Sequence, residues 1–446
     1  MTVKKNGGLI ALLPIAVFLV LYLGLGITFE YIMKIEMGFY NIPIVVAFLA
    51  AILVACLQNR HLKFDDKLEV MAKGVGDKNI MTMILIFLVA GIFVGVVGRS
   101  SAESVAYFML SIIPTRFAVA VLFIVSCFVS TAMGTSCGTI ALIVPIAVAV
   151  SDASGFSLPL CVGSVIGGSM FGDNLSFISD TTIAACNTQG CKMRDKFKAN
   201  FFIALPAALA TLVIIILLSF QTEINTTINE EYSLIQLIPY ILVLVGGIAG
   251  INVFVVLLTG IVSGSIIMLA TGELAATQLL ANMGTGASGM FETIMVTVLV
   301  SALCGLMRAY GGFDALLAGI QRVFKGNKGG QIGMGLLVSA MNVATANNTV
   351  AIVMAGPIAK DMSKGYGITP QKAASILDVF SCIVQGVLPY GAQMLYAVSA
   401  VMTLGHTISA FDILPFLFYQ FLLLVSMLCF ILFGKQKKSQ KNHNRP

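Results

Sequence analysis

Long apolar stretches separated by short polar loops run through nearly all 446 residues of the chain. Hydrophobic residues make up 58% of the sequence and charged residues only 10%, whereas soluble domains are about a quarter charged. Because a membrane-spanning helix needs about 20 mostly apolar residues, the chain has room for roughly ten to twelve crossings. The sequence therefore predicts an all-α membrane protein embedded in a lipid bilayer. It excludes soluble enzymes, nucleic-acid-binding proteins and secreted scaffolds.

The charges in the loops predict which side of the membrane each loop faces. Loops 60–78, 191–198 and 308–328 carry most of the internal Lys and Arg residues, and the C-terminal tail is also basic, which is typical of cytoplasmic segments. Loop 221–233 has acidic but no basic residues. We therefore expect a multi-pass protein of the cytoplasmic (inner) membrane with both termini cytoplasmic. Basic residues within 360–372 disagree, since this orientation places them outside.

Four apolar blocks are interrupted by Gly, Pro, Ser, Thr or Asn and form two pairs. The pairs are 117–150 with 159–190, and 331–360 with 371–405. The loop charges require each pair to cross the membrane only once in total, so each pair should contain one re-entrant hairpin. Irregular backbone is tolerated at membrane depth only where protein or a water-filled cavity covers it.

The same polar break occurs in both halves of the chain, so that position 135 aligns with position 345. Thr135-Ser136-Cys137-Gly138-Thr139 precedes Pro145, and Thr345-Ala346-Asn347-Asn348-Thr349 precedes Pro357. Small residues that let helices pack closely would explain single positions but not this recurrence. With one crossing for each pair, the loop charges give about ten transmembrane helices, five in each half. Because five is odd, the recurrence predicts two inverted repeats, residues 1–220 and 221–446, each with a broken helix and a re-entrant hairpin. Such repeats are typical of secondary transporters, whose ion and substrate sites lie at the breaks.

Two carboxylates, Asp173 and Asp180, lie in one oxygen-rich run within an apolar block. An unpaired carboxylate at membrane depth is costly and indicates function, because it holds either a proton or a cation. We expect both to bind Na⁺ and to be embedded, with neutral oxygens supplied by Asn174, Ser176, Ser179, Thr181 and Thr182. The alternative for Asp180 is a helix N-cap.

The second half contributes its own candidate residues. Asp378 lies within an apolar block and is expected opposite the first break, as a third ligand or as the cap of a hairpin turn. The polar residues at the two breaks complete the predicted ion or substrate site: Thr135, Ser136, Thr345, Asn347, Asn348 and Thr349.

The chain resembles the NhaC-type sodium/proton antiporter family of the ion-transporter superfamily over nearly its full length. The resemblance is sharpest at Gly134–Thr139 and at Gly172-Asp173-Asn174-Leu175-Ser176, continuing to Ser179–Thr182. It implies an inverted repeat with two hairpins and exchange of Na⁺ for H⁺. The family often has Pro where this chain has Phe177, and relatives exchange malate and lactate as well as Na⁺ and H⁺.

Two transport functions therefore stay open. The first is Na⁺/H⁺ antiport. The second is Na⁺- or H⁺-coupled antiport of a small organic acid or amino acid, which Asn347, Asn348 and Gln385 could bind through amide donors. A passive channel is disfavoured because no pore motif repeats, and an intramembrane aspartyl hydrolase because its dyad would be expected on separate helices. We expect no enzyme activity, no cofactor, and a homodimer as one possible assembly.

Overall fold

Nearly all described residues are helical. The computed structural model describes residues 8–35, 42–177, 179–222, 232–249 and 251–433, and no strand occurs among them. Up to residue 222 the α-helices are α1 (Leu13–Leu19), α2 (Leu25–Ile27), α3 (Ile44–Gln58), α4 (Phe64–Val75), α5 (Lys78–Ile112), α6 (Ala118–Met133), α7 (Ser136–Ser154), α8 (Leu158–Leu175), α9 (Asp180–Gln189) and α10 (Met193–Gln221). After it they are α11 (Ile238–Ile248), α12 (Val253–Ala270), α13 (Ala276–Gly289), α14 (Phe291–Ala309), α15 (Gly312–Val323), α16 (Gly326–Thr345), α17 (Asn348–Gly365), α18 (Pro370–Val387), α19 (Ala392–Thr403), α20 (Ala410–Ile413) and α21 (Phe418–Phe433). Short 3-10 or π segments are Gly8–Leu12, Val20–Gly24, Thr28–Ile32, Thr115–Phe117 and Leu414–Phe416.

The prediction of an all-α membrane protein is confirmed. Within the described ranges, eight helices are long and apolar enough to cross a membrane, or nine if the bent pair Ala410–Phe416 and Phe418–Phe433 forms one span. Helix α3 is apolar but shorter. Helices α8, α16 and α17 have 18 to 20 residues but are too polar to count among these spans. Polar residues of α8 and α17 contribute to the site described below.

The helices of the two halves follow one alignment, which we call the repeat register. It pairs Leu158, the first residue of α8, with Pro370, the first residue of α18, and the two helices then correspond residue by residue to their last residues, Leu175 and Val387. The same register pairs Pro145 inside α7 with Pro357 inside α17. It also pairs Gly155 with Gly367, which both have positive φ, the left-handed backbone that glycine adopts readily at helix ends. The recurrence in the sequence therefore reflects a repeat of local structure.

The repeat register corrects the alignment of the two polar breaks by two positions. It pairs Thr135 with Asn347, not with Thr345. Thr135 caps α7 by accepting the Gly138 backbone N–H, and Asn347 caps α17 by accepting the Val350 backbone N–H. A side-chain oxygen at the N-cap accepts a hydrogen bond from an otherwise unpaired N–H group. Thr135 and Asn347 are therefore equivalent N-cap residues in the two halves.

Each half contains one helical hairpin and one broken helix. Helices α6 and α7 pack against each other on either side of Gly134 and Thr135, and α16 and α17 do the same around Ala346 and Asn347. Helices α8 and α9 touch little, as do α18 and α19. The segment Pro370–Thr403, which includes α18 and α19, forms a single candidate span. The hairpins are thus α6–α7 and α16–α17, and the broken helices are α8–α9 and α18–α19.

Helix α8 lies very close to α6 because its contact face is made of small residues. A Cβ atom on Gly172 would lie 2.2 Å from the Ser130 side chain, and one on Gly168 would lie 2.5 Å from the Phe123 carbonyl oxygen. Ser130 Oγ donates to the Ser169 carbonyl oxygen over 2.6 Å. This contact fixes the first hairpin to the first broken helix.

The second half has the equivalent contact. Asn342 Nδ2 donates to the Ser381 carbonyl oxygen over 2.7 Å. In the repeat register Asn342 corresponds to Ser130, and Ser381 corresponds to Ser169. Each hairpin is therefore fixed to its broken helix in the same way.

Two of the segments that carry the orientation argument lie outside the described residues. These are the basic tail from residue 434 onward and most of the acidic loop, 223–231. The cytoplasmic placement of both termini and the inversion of the second repeat therefore stay predictions.

Candidate functional site

The tips of both hairpins, the α8–α9 break and residues on either side of the α18–α19 break line one cavity of about 500 Å³. Its polar lining residues are Thr135, Ser136, Asp173, Ser179, Asp180 and Thr181 from the first half, and Asn347, Asn348, Thr349, Gln385 and Gln393 from the second. The cavity runs from exposed residues, Lys78 and Asn252 among them, to buried ones such as Asp173. The structure thus brings the two polar breaks to the same cavity.

Asp173 is 4% exposed and lies in the last turn of α8. Its Oδ1 accepts the Ser136 backbone N–H over 3.1 Å, and its Oδ2 accepts the Ser136 hydroxyl over 2.5 Å. Ser136 is the first residue of α7, directly after the N-cap residue Thr135. The Asp173 carboxylate is therefore bound by the N-terminus of α7, where backbone N–H groups and the helix dipole stabilise negative charge.

A chain of hydrogen bonds joins Asp173 to the second hairpin. Gln393 Nε2 donates to Ser136 Oγ over 2.9 Å. Gln385 Nε2 donates to Gln393 Oε1 over 2.7 Å and to the Ala346 carbonyl oxygen over 3.1 Å. Because the amide nitrogen of Gln393 can only donate, the single Ser136 hydroxyl proton is left for Asp173. The two hairpins therefore meet through side chains that hold Asp173 as an acceptor.

Several of these residues occupy equivalent positions in the two halves. The repeat register pairs Asp173 with Gln385 and Thr181 with Gln393. The first half thus supplies a carboxylate where the second supplies a neutral amide. The cavity contains one deep charge rather than a symmetric pair among the described residues.

Asp180 differs from Asp173 in its position on the broken helix and in its exposure. Helix α8 ends at Leu175, and Asp180 begins α9 on the far side of the break. Asp180 lines the cavity with an exposed side chain, and its embedding in the membrane stays a prediction. Ser179, not Asp180, is the N-cap residue of α9.

Asp378 does not line the cavity, contrary to its expected role as a third ligand or hairpin cap. It lies in the middle of α18 with no exposed surface, and its Oδ2 is 2.8 Å from Lys196 Nζ. The sequence places Lys196 in the basic loop 191–198, but in the structure it lies in α10 and is 1% exposed. Lys196 and Asp378 form the only acid–base pair buried to this extent in the described part of the chain. The pair lies beside the cavity, because it contacts the sequence neighbours of the lining residues Asp173 and Thr181.

The structure separates the predicted site residues into two groups. Nine of them line the cavity: Thr135, Ser136, Asp173, Ser179, Asp180, Thr181, Asn347, Asn348 and Thr349. Five do not: Asn174, Ser176, Thr182, Thr345 and Asp378. Asn174 and Thr182 contact the Lys196 pair instead, and the Thr345 hydroxyl donates to the Asn347 carbonyl oxygen. No group of three or more His, Cys, Asp or Glu residues in the described ranges could hold a metal ion.

Sequence reasoning missed Gln393, Lys196 and Tyr419, whose hydroxyl donates to Asn174 Oδ1 over 2.8 Å. The repeat could have found Gln393, since it is the counterpart of Thr181. Lys196 shows no such signal, because charged residues surround it in the sequence.

A model of the Na⁺/H⁺ antiporter family matches residues 8–220 and 217–435. The chain belongs to this family. The Na(+)/H(+) antiporter NhaC of Bacillus subtilis (strain 168) is 25% identical over 423 residues, covering 86% of this chain and 91% of that protein. The Malate-2H(+)/Na(+)-lactate antiporter of the same organism is 23% identical over 420 residues, covering 86% and 88%.

A solved structure gives a weaker likeness. The YdaH transporter of Alcanivorax borkumensis has a TM-score of 0.42 and 11% identity, covering 80% of this chain and 89% of that chain. This likeness is too low to support an inference. The family match confirms the predicted family, and together with the apolar helices it confirms the prediction of a multi-pass membrane protein.

We expect the cavity to open toward the cytoplasm, because Lys78 belongs to a basic loop. In a cysteine-free background, a membrane-impermeant maleimide should label Asn252→Cys from the cytoplasmic side only. The matched control is Thr271→Cys, an exposed position at the other end of the candidate span Val253–Ala270, which should be labelled from outside. The reverse pattern would invert the orientation.

Proposed function

We propose that the protein exchanges Na⁺ for H⁺ across the cytoplasmic membrane and that Asp173 binds the two ions alternately. The observation that carries this proposal is the position of Asp173, a buried carboxylate at the inner end of the cavity shared by both halves. A carboxylate at membrane depth needs either a proton or a cation as partner. Because one group cannot bind both, each ion must leave before the other binds.

The neighbouring oxygens suit a hard cation. The hydroxyls of Ser136, Ser179 and Thr181 line the cavity with Asp173, and hydroxyl, carbonyl and carboxylate oxygens are the ligands that hard cations prefer. Asp180 adds a second carboxylate at an exposed position in the same cavity. We propose that Asp180 attracts Na⁺ into the cavity and that Asp173 binds it.

The second candidate is exchange of a small organic acid, as the name of the malate and lactate relative describes. The volume of about 500 Å³ favours it, since on the same measure one water needs only about 10–15 Å³. So does Asn348, whose buried Nδ2 has no hydrogen-bond partner among the described residues. Two features favour Na⁺ instead. Lys78 is the only basic residue in the described lining and is exposed, and Asp173 already occupies the N-terminus of α7, where a substrate carboxylate would bind.

Purified protein in proteoliposomes separates the two candidates. With the vesicle interior more acidic than the medium, uptake of radioactive Na⁺ should clearly exceed that of protein-free liposomes. Malate, lactate and amino acids should neither compete nor be taken up. Sodium-dependent uptake of labelled malate or lactate would establish the second candidate instead.

The wider arrangement is proposed with the function. We place both termini in the cytoplasm and treat residues 1–220 and 221–446 as the inverted repeats. In this arrangement the two hairpin tips meet near mid-membrane, where alternating access requires the ion site to lie.

A further inference from the structure

Lys196 has an unusual surrounding for a buried lysine. Its ammonium nitrogen lies 2.8 Å from Asp378 Oδ2, 2.6 Å from Thr182 Oγ1 and 3.1 Å from the Asn174 carbonyl oxygen. Asn200 Nδ2 donates to two of the same oxygens, those of Asn174 and Asp378, over 2.9 and 2.7 Å. The three groups around the ammonium are thus a carboxylate, a hydroxyl and a carbonyl.

This oxygen set is of the kind that binds a monovalent cation. Asn174 lies at the C-terminal end of α8, where the helix dipole is negative, and Thr182 lies in the first turn of α9. Carbonyls at half-helix C-termini and in unwound backbone coordinate Na⁺ in transporters with broken helices. Asp378 has spare capacity as well, because its Oδ1 has no partner among the described residues.

We propose that the Lys196 ammonium is a tethered cation that fills a second cation site, formed by the oxygens of Asn174, Thr182 and Asp378. Na⁺ from solution is thereby excluded from this site and exchanges only in the cavity at Asp173. The inference rests on the proposed function for the identity of that transported ion. Lys196 is a positioning residue, because it contacts both sides of the α8–α9 break without lining the cavity.

The repeat supports a specific role for this pair. In the repeat register Asp378 of α18 corresponds to Ile166 of α8. The first half therefore folds with an apolar residue where the second half carries the acid of this pair, so the ion pair is not part of the duplicated framework. A buried ion pair contributes little net stability compared with packed apolar residues, so stability alone is a weak reason for placing a charge pair beside this break.

Removing Lys196 should open the second site to Na⁺. The background is Asp173→Asn, which removes the proposed exchange site, and two further proteins add Lys196→Met or Lys196→Met with Asp378→Asn. Thermal unfolding is followed with a thiol-reactive fluorophore, since the chain has nine Cys and no Trp. Each protein is measured in NaCl and in choline chloride at equal ionic strength.

We expect Na⁺ to stabilise only the protein that carries Lys196→Met beside intact Asp378. Its midpoint should rise by at least about 3 °C in NaCl and saturate with concentration, as expected for a ligand that binds the native state. The Asp173→Asn protein and the version with Asp378→Asn should melt equally in both salts. If the Lys196→Met protein is monodisperse only in NaCl, that also supports the proposal.

Two results would overturn it. The first is equal destabilisation of the Lys196→Met protein in both salts, because a plain structural salt bridge predicts no rescue by Na⁺. The second is aggregation of that protein in both salts. Transport is not the readout, so a failure of the proposed exchange at Asp173 leaves this test intact. Na⁺-specific stabilisation of the Asp173→Asn protein itself would count against the exchange site, whereas the further increment on removing Lys196 would still measure the tethered cation.

Discussion

Asp173→Asn should abolish Na⁺-dependent proton exchange while leaving the protein folded. The substitution keeps the size and one acceptor oxygen for the Ser136 donors, but it removes the charge that attracts a cation. A unit charge about 4 Å from a cation contributes about 4 kcal/mol at an effective dielectric constant near 20. We therefore expect exchange to fall by about a thousandfold, since each 1.4 kcal/mol is about a factor of ten.

The matched control is Asp180→Asn, which removes a carboxylate from the same cavity at an exposed position. Because water screens an exposed charge, we expect only weaker apparent Na⁺ affinity, by less than about tenfold. Initial rates of Na⁺-driven proton efflux from proteoliposomes, normalised to monodisperse protein, compare the two variants. Exchange at the wild-type rate with Asp173→Asn would refute the site assignment.

Gly172→Ala should prevent the protein from folding stably. The added Cβ would lie 2.2 Å from the Ser130 side chain and 2.5 Å from the Ser130 carbonyl carbon, so α6 and α8 must separate. Overpacking of this kind costs about 1–3 kcal/mol or more, a large part of the usual margin of stability. The separation also breaks the Ser130 hydrogen bond to Ser169. Yield of monodisperse protein by size-exclusion chromatography measures the effect.

Gly284→Ala is the control for this prediction. Gly284 lies within α13, and a Cβ there would meet no atom within 4 Å. Alanine also favours helix over glycine by up to about 1 kcal/mol. We expect normal or higher yield for Gly284→Ala. Equal yields for the two variants would show that the close approach of α6 and α8 is not required.

The repeat and the polar breaks could be predicted because the same polar run occurs once in each half of the sequence. The Thr135 and Thr345 regions recur in the two halves and each precede a proline, and apolar helices supply the length of a span. The assignment of hairpins could not be predicted. Whether α6 packs on α7 or continues past it depends on contacts such as Gly172 with Ser130, which join distant segments.

The carboxylates also divide into one that the sequence identifies as a site residue and two whose environments depend on distant segments. Asp173 can be identified as a site residue because a lone acid in an apolar block is costly, and it lies in the cavity. Asp180 and Asp378 give the same signal but have other environments. The break between α8 and α9 moves Asp180 to an exposed position, and Asp378 is paired with Lys196, which lies far from it along the chain. Local sequence carries no information about such a partner.

Proton release on Na⁺ binding tests the central claim most directly. Purified protein in weakly buffered detergent solution is titrated with NaCl while a pH indicator follows the solution, with choline chloride as the reference. If Asp173 binds H⁺ and Na⁺ in competition, the wild-type protein releases protons as Na⁺ binds, with a Na⁺ midpoint that increases as the pH is lowered, and Asp173→Asn releases none. Na⁺ binding without proton release, or the same release from Asp173→Asn, would contradict competition at this carboxylate.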